Sequence, residues 1–373
     1  MARSDSIWLT LRAGLRDLIL HEHQRPRALF NDILDQTAQS PQMITMIGRE
    51  LKTSVMQKLR FGTGHQEGLH GEIHLRADPD SLKAGSPILF ADCELHNGPI
   101  MNDTSSRPVG AIVRRPLVWH RCVTQDLDFS KLAHLLYAKL LAPFTTVICF
   151  FAEDFGGLSV VAQVLALWIM NLSNRPSDLP PITNPRVLVL TQRKHFSEFS
   201  EQKATKQFML EVGREAERIY GSLTSKSKGR LKKAELDQYL GTHFGSMRVV
   251  PLPDIVSSAR SWKSLRSRIL QDSANVQERR REAQVAFSGR HYAAFFRMAS
   301  EHFCTDIISP FSFVRSSREP NPVSTEYLSH LQRFIDKVPM AQLLNFAVPV
   351  IASAFVFDSY PSEMHCKCIY ILS

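Results

Sequence analysis

The sequence has no apolar run long enough to cross a membrane. Its longest apolar stretches, residues 160–170 and 343–357, fall short of the roughly 20 residues that a spanning helix needs. The second stretch also contains Asn345 and Pro349. The first residues hold no apolar core of the kind found in secretory signal peptides. We therefore expect a soluble, cytoplasmic protein without a membrane span.

Cysteine is scarce, with six residues in a chain of 373. Cys93 and Cys149 lie in apolar runs, where a free thiol packs as a small hydrophobic group, and the six positions show no disulfide framework. Spacings typical of zinc ligands are missing as well, because His70, His74 and His96 form no tight ligand pair with Cys93. These absences exclude a disulfide-stapled secreted domain and favour a reducing compartment.

Acidic residues are outnumbered, 36 against 45 lysines and arginines, so the formal net charge is +9. The basic residues cluster at 226–233, 263–268 and 279–281, with no interleaved aromatic pattern. Such clusters usually form solvated helix faces and loops, so no clear nucleic-acid site is predicted. Binding of nucleic acid or of an anionic membrane through residues 226–281 is the alternative.

Short apolar runs alternate with helical patterns before residue 255. The runs predict six strands, at residues 43–47, 72–76, 87–92, 145–152, 186–190 and 247–251. Several of them are apolar throughout, which is typical of parallel strands that are buried on both faces. Strands that alternate with helices predict an α/β fold with a doubly wound, mostly parallel sheet.

The helical patterns divide the chain into three parts. Leu20, Phe30, Ile33 and Leu34 recur at near-helical spacing, with an interruption at Pro26. The pattern becomes helical again from about residue 261. We predict an N-terminal helical segment at 1–40, an α/β domain at 41–255 and a helical extension at 256–373.

The helical extension is expected to pack on the α/β domain, because leaving residues 343–357 exposed would promote association. The residues after 361 show no cap or periodicity and are expected to be poorly ordered. The chain is also expected to be truncated there, with an effector region missing.

The strongest candidate for a site is the segment Met46-Ile-Gly48-Arg-Glu-Leu-Lys52-Thr53-Ser54, between an apolar run and a helical pattern. In a P-loop at this place, backbone N–H groups cradle phosphates at a helix N-terminus. A Lys reaches the terminal phosphates and a Ser or Thr binds Mg²⁺. The usual G-x-x-x-x-G-K-[ST] has a Gly before the Lys, whereas Leu51 stands here and the loop is shorter than the pattern. An ordinary strand, turn and helix is therefore the alternative.

The order of the following elements supports a resemblance. An apolar run ends at Asp92, and two further buried runs follow at 145–152 and 187–190. This order is similar to that of a GTPase-type G domain of the P-loop NTPase class. The phrase Pro-Ile-Leu-Phe-Ala-Asp-Cys-Glu at 87–94 resembles the D-C-E-G strand of large G domains in fungal multidomain proteins, some with a patatin-like lipase module. Residues 351–361 are similar to a segment of the same proteins. The resemblance covers roughly residues 40–360.

The resemblance implies a purine nucleotide and Mg²⁺ as ligands. It places the phosphates at Gly48, Lys52 and Thr53, and the metal at Ser54 (or Thr53) and Asp92. A base pocket would be formed by Gln192, Arg193 and Lys194. Thr63 would be the mobile-loop residue that senses the γ-phosphate, and Glu153 and Asp154 are outside candidates at the carboxyl edge of the sheet.

Three departures from the G-domain pattern predict weak or absent hydrolysis. Leu51 replaces the P-loop Gly, Leu95 replaces the Gly of D-x-x-G, and Thr-Gln-Arg-Lys at 191–194 replaces N-K-x-D. No G-x-S-x-G motif is present, so a hydrolase or patatin nucleophile is not expected. The sequence thus predicts a nucleotide-binding switch or scaffold, with a pseudo-GTPase that binds a protein partner without ligand as the alternative.

Overall fold

The computed structural model describes residues 6–14, 17–32, 35, 37–61, 72–95, 111–119, 129–172, 178–192, 199–223, 241, 243–254, 257–318 and 326–359. All structural statements concern these residues. Thr63, Arg193, Lys194, His70, His96, the basic cluster at 226–233 and the residues after 359 lie outside them.

A single mixed sheet of nine strands organises the described part of the chain. The strands are β1 (Ile7–Ala13), β2 (Leu18–His23), β3 (Gln42–Gly48), β4 (Glu72–Ala77), β5 (Ile88–Glu94), β6 (Ala111–Pro116), β7 (Thr145–Phe151), β8 (Arg186–Thr191) and β9 (Ser246–Pro251). Their order across the sheet is β6-β2-β1-β4-β5-β3-β7-β8-β9. The fold is therefore α/β, and all six predicted strands are present in it.

The two halves of the sheet differ in direction. Strands β5, β3, β7, β8 and β9 are parallel to one another, and β3 is buried along its whole length. Strands β4, β1, β2 and β6 continue the sheet in antiparallel pairs. The prediction of a mostly parallel sheet was therefore wrong for one half, because it did not include β1, β2 and β6.

The N-terminal segment is not helical as predicted but forms the hairpin of β1 and β2. At one end of the hairpin, the Gly14 N–H donates to the carbonyl of Asp17 at 2.6 Å. Among the described residues of this segment, only Arg25–Asp32 forms a helix, α1. Pro26 lies in the first turn of α1 and does not interrupt it, because a backbone N–H there would have no partner within the helix.

The remaining helices are α2 (Glu50–Lys58), α3 (Phe129–Leu135), α4 (Leu158–Leu172), α5 (Glu201–Leu223), α6 (Ala259–Glu282), α7 (Gly289–Thr305), α8 (Phe313–Arg318), α9 (Tyr327–Lys337) and α10 (Val348–Ser359). Helix α6 crosses one face of the sheet, and its Ile269 and Val276 belong to the core. Helix α7 buries Tyr292 and Phe296 against Phe144 at the entry of β7.

Helices α9 and α10 do not pack as the sequence predicted. Helix α9 has no buried residue, and between 340 and 355 only Ala347 is buried. Tyr327 and Phe355 contact each other, as do Phe334 and Phe346, so aromatic side chains connect α9 with residues 346–355. The burial expected for the apolar stretch is thus not provided to residues 343–355 by the described part of this chain, Ala347 excepted.

Candidate functional site

The first turn of α2 holds a carboxylate from the same chain. Asp154 accepts hydrogen bonds from the backbone N–H groups of Arg49 at 2.6 Å, Leu51 at 2.9 Å and Lys52 at 2.9 Å. These N–H groups have no partner within a helix, and they lie at the positive end of the helix dipole. A P-loop offers the same kind of amide group to phosphate. The Asp154 carboxylate therefore occupies the anion site of this helix.

The turn after β7 brings Asp154 to this position. A short helical turn, Ala152–Phe155, follows β7 and ends at Gly156, which has φ 93°. Gly157 follows with φ 124°, so two left-handed residues reverse the chain before α4. Glu153 fixes the turn from the other side, because one of its oxygens accepts from the Thr191 hydroxyl at 2.7 Å and from the Gln192 N–H at 2.8 Å.

Gly48 gives Asp154 the space that it needs. A Cβ at this position would lie 2.5 Å from the Asp154 Oδ2 atom and 2.7 Å from the Cβ of Lys52. Both distances are shorter than the van der Waals contact distance of non-bonded atoms, so a side chain at position 48 would clash. Gly48 is thus required by the close approach of the carboxylate to the strand end.

Lys52 points away from that anion site and into the protein. Its side chain is fully buried, and its Nζ lies 2.5 Å from Asp92 Oδ1 and 2.7 Å from Glu94 Oε1. It also donates to the carbonyl of Cys93 at 3.0 Å. Arg76 approaches the other oxygen of Asp92 at 3.7 Å. The cation that the resemblance assigns to phosphate is therefore held by two carboxylates from β5.

Burial and charge act on this cluster in opposite directions. Burial alone would lower the pKa of Lys52, but Asp92 and Glu94 outweigh it and raise that pKa. Burial would raise the pKa of Asp92, but Lys52 and Arg76 hold it below its ordinary value. Glu94 keeps a raised pKa, since burial and the neighbouring Asp92 outweigh the effect of Lys52. Lys52 is consequently a charged lysine whose main partner is Asp92.

The other predicted site residues are scattered around this cluster. The Thr53 hydroxyl donates to the carbonyl of Arg49 at 2.9 Å, a contact made within the helix. Ser54 is exposed and, like Gln192, lines an open cleft beside α2. Lys52 and Asp92 are the only predicted pair that an ion pair joins within the described chain. Sequence reasoning placed Asp154 at the correct edge of the sheet but did not predict its contact with α2.

The cleft beside α2 has a volume of about 570 Å³ and lies at the carboxyl ends of β7, β8 and β9. Leu51, Val55, Leu252 and Trp262 form much of its apolar wall. Its charged lining consists of four carboxylates and one lysine, namely Glu50, Glu153, Asp154, Asp254 and Lys58. This excess of negative charge disfavours a polyphosphate.

The described ranges were compared with the requirements of a metal site and of a membrane-spanning helix. No group of three or more His, Cys, Asp or Glu side chains there is arranged to hold a metal ion. No single helix among these residues is long and apolar enough to cross a membrane. One helix pair bent by 111°, Tyr327–Lys337 with Met340–Phe355, passes the same test of length and composition.

Comparisons with known proteins give little guidance. No protein-family model and no curated protein matches the chain. Among solved structures, the chain is similar to the siderophore hydrolase EstA from Aspergillus nidulans at 9% sequence identity, over 73% of this chain and 95% of that chain. The TM-score of this match is 0.26, which is too low to carry an argument about fold or function.

Proposed function

We propose that this chain is a pseudo-GTPase: a G-domain-like interaction module that works without a bound nucleotide. The observation that carries the proposal is the Asp154 carboxylate, which takes three backbone N–H groups at the start of α2. Those are the donors that a phosphate would need. A nucleotide would have to displace the half-buried Asp154 carboxylate, and it would meet three further carboxylates in the cleft.

The arrangement of the sheet supports the G-domain part of the proposal. The elements that carry the resemblance are the strand before the loop, the strand with Asp92 and the two buried runs. They correspond to the adjacent parallel strands β5, β3, β7 and β8. Their carboxyl ends meet at one edge, where α/β proteins place ligands. The proposal places the former nucleotide site at this edge, where the Asp154 carboxylate now takes the N–H groups of α2.

The proposal predicts that the wild-type protein binds none of GTP, GDP, ATP and ADP when each is present at millimolar concentration with Mg²⁺. Replacing Asp154 by Ala should free the three N–H groups and allow inorganic phosphate or sulfate to bind. Isothermal titration calorimetry of the full chain measures nucleotide binding by the wild type and anion binding by the variant. Asp254→Asn is the matched control, because Asp254 lines the same cleft but is exposed.

Two results would contradict the proposal. The first is stoichiometric nucleotide in the purified wild-type protein, and the second is a folded Asp154→Ala variant that binds no anion. A circular dichroism spectrum of the variant verifies that it is folded.

A further inference from the structure

Residues 340–355 form a largely apolar surface, in which Gln342, Asn345 and Ser353 are the only polar side chains. They contain no charged side chain. Val348 and Val350 are two residues apart in α10, about 200° around an α-helix, yet 52% and 40% of their surfaces are exposed. Met340 and Leu344, just before α10, are 85% and 79% exposed. Apolar side chains thus point outward on opposite sides of the same helix.

Helix α9, which contacts this surface through Tyr327 and Phe334, is amphipathic. Its apolar residues Leu328, Leu331, Phe334 and Ile335 share one side at helical spacing. The opposite side carries polar and charged groups, among them Arg333 and Lys337, both exposed. A helix with these two sides is suited to the plane of a membrane interface.

The positive charges near these helices complement an anionic surface. Arg333 and Lys337 lie on α9, and Arg315 is exposed on α8, which contacts α10; they outnumber the exposed carboxylates of this region, Glu326 and Asp336. The whole chain carries a net charge of +9. Anionic lipid headgroups attract such residues, and the attraction is weakened by salt.

We propose that α9 and α10 form a bent helical pair that inserts into one leaflet of an anionic phospholipid bilayer without crossing it. In this arrangement α10 lies among the acyl chains, and the charged side of α9 faces the headgroups. The 111° bend between the two helices allows one to lie in the interface while the other enters it. Acyl chains surround an inserted helix on all free sides, so they would cover both Val348 and Val350, which are exposed on opposite sides of α10.

A protein partner, including a second copy of this chain, would fit these observations less well. A helix that docks in a groove uses one apolar stripe, with anchors at helical spacing on one side. Val348 and Val350 cannot both belong to one such stripe, because they lie on opposite sides of the helix. This difference decides between the two kinds of occupant.

The test is flotation of the full chain with vesicles made of equal parts phosphatidylcholine and phosphatidylserine, compared with vesicles of phosphatidylcholine alone. We expect the wild type to float with the mixed vesicles at low salt, and less with neutral vesicles or at high salt. Val348→Glu and Val350→Glu should each lower vesicle binding by roughly tenfold or more, because each places a charge in the hydrocarbon. Ser329→Glu carries the same added charge on the polar side of α9 and should retain most of the binding.

Three outcomes would overturn the proposal. One is a wild type that floats with neither kind of vesicle. Another is loss of binding by only one of the two valine variants, which would indicate a one-sided surface. The third is a dimer, seen by size-exclusion chromatography with light scattering, that one of these variants dissociates. Both valines are exposed, so unchanged thermal unfolding serves as the check that the variants fold.

Discussion

At the residue scale, Asp154 and Lys52 determine whether the start of α2 can bind phosphate. The backbone N–H of Lys52 binds Asp154 at 2.9 Å, while its ammonium group lies in a fully buried site between Asp92 and Glu94. A phosphate-binding lysine must present its charge to the ligand. Here the lysine instead neutralises carboxylates inside the fold, which favours a structural role.

The first prediction at this scale concerns Lys52→Met. The variant leaves Asp92 and Glu94 buried without their cation, so the free energy of unfolding should fall by about 3–5 kcal/mol. Urea denaturation measures the loss. If Lys52 were a phosphate ligand, its removal would instead abolish nucleotide binding and leave stability nearly unchanged. Lys58→Met, in the same helix and exposed, is the control.

The second prediction separates the two acids by pH. The lowered pKa of Asp92 stabilises the fold above its ordinary value of 3.8, and this contribution is lost as pH falls through the lowered value. At neutral pH, Asp92→Asn should therefore cost about 1.5–3 kcal/mol, a difference from wild type that disappears in acid.

Glu94 should behave in the opposite way, since its pKa is raised and its charged form is disfavoured in the fold. Glu94→Gln should leave the stability at neutral pH within about 1 kcal/mol of wild type, or above it. Equal losses in the two variants, from urea curves between about pH 2 and 8, would show that the two carboxylates share the lysine evenly.

At the scale of elements, the helix α6 is tied to the amino ends of the parallel strands by polar contacts. Ser273 contacts Gln42 of β3 and Thr146 of β7, both at 2.7 Å. Asp272 binds Arg186 of β8 and Arg248 of β9, both at 2.5 Å. The helix therefore fixes four neighbouring strands at the edge opposite to the Asp154 site.

Arg280 closes this attachment and supplies the element-scale prediction. Its guanidinium is buried and donates to the carbonyls of Pro143, Phe144, Thr145 and Thr183, at 2.8–3.3 Å. Arg280→Ala should lower the free energy of unfolding by about 3–5 kcal/mol, because these carbonyls would lose a charged donor.

The adjacent Arg281 is the matched control for Arg280. Its side chain is 45% exposed and pairs with Glu278. Arg281→Ala should stay within about 0.5 kcal/mol of wild type in the same denaturation experiment. Similar losses in both variants would contradict the anchoring role. The sequence showed only a run of three arginines, and it could not distinguish the buried residue from the solvated ones.

The central strands could be predicted from the sequence, but the antiparallel half could not. Strands β3, β7 and β8 are mostly apolar, as strands buried on both faces are, and this pattern can be read from each short segment alone. Strand β2, Leu-Ile-Leu-His-Glu-His, buries His21 and His23, which no hydrophobic pattern reveals. The contact of Asp154 with α2 joins residues more than 100 positions apart and depends on the sheet to bring the two turns together. Only the edge where the site lies could be inferred from the strand ends.

For the molecule as a whole, the described part divides into a compact α/β body and the exposed pair of α9 and α10. The body extends through α8, where Phe311 and Phe313 pack against Phe287 and Phe295 of the core. Beyond it, Ala347 is the only buried residue among 326–355. Hydrophobic burial is the main source of stability, so residues that bury little contribute little.

The last prediction is that a chain ending after Arg318 folds as stably as the full chain. Its free energy of unfolding should differ by less than about 1 kcal/mol, since the removed helices leave almost no core surface uncovered. Thermal and urea unfolding measure this difference. The shortened chain should also lose its flotation with anionic vesicles, because α9 and α10 are absent. Cooperative unfolding lost on truncation would show that the helical pair is part of the body after all. Flotation retained by the shortened chain would instead assign membrane binding to the basic residues of α6.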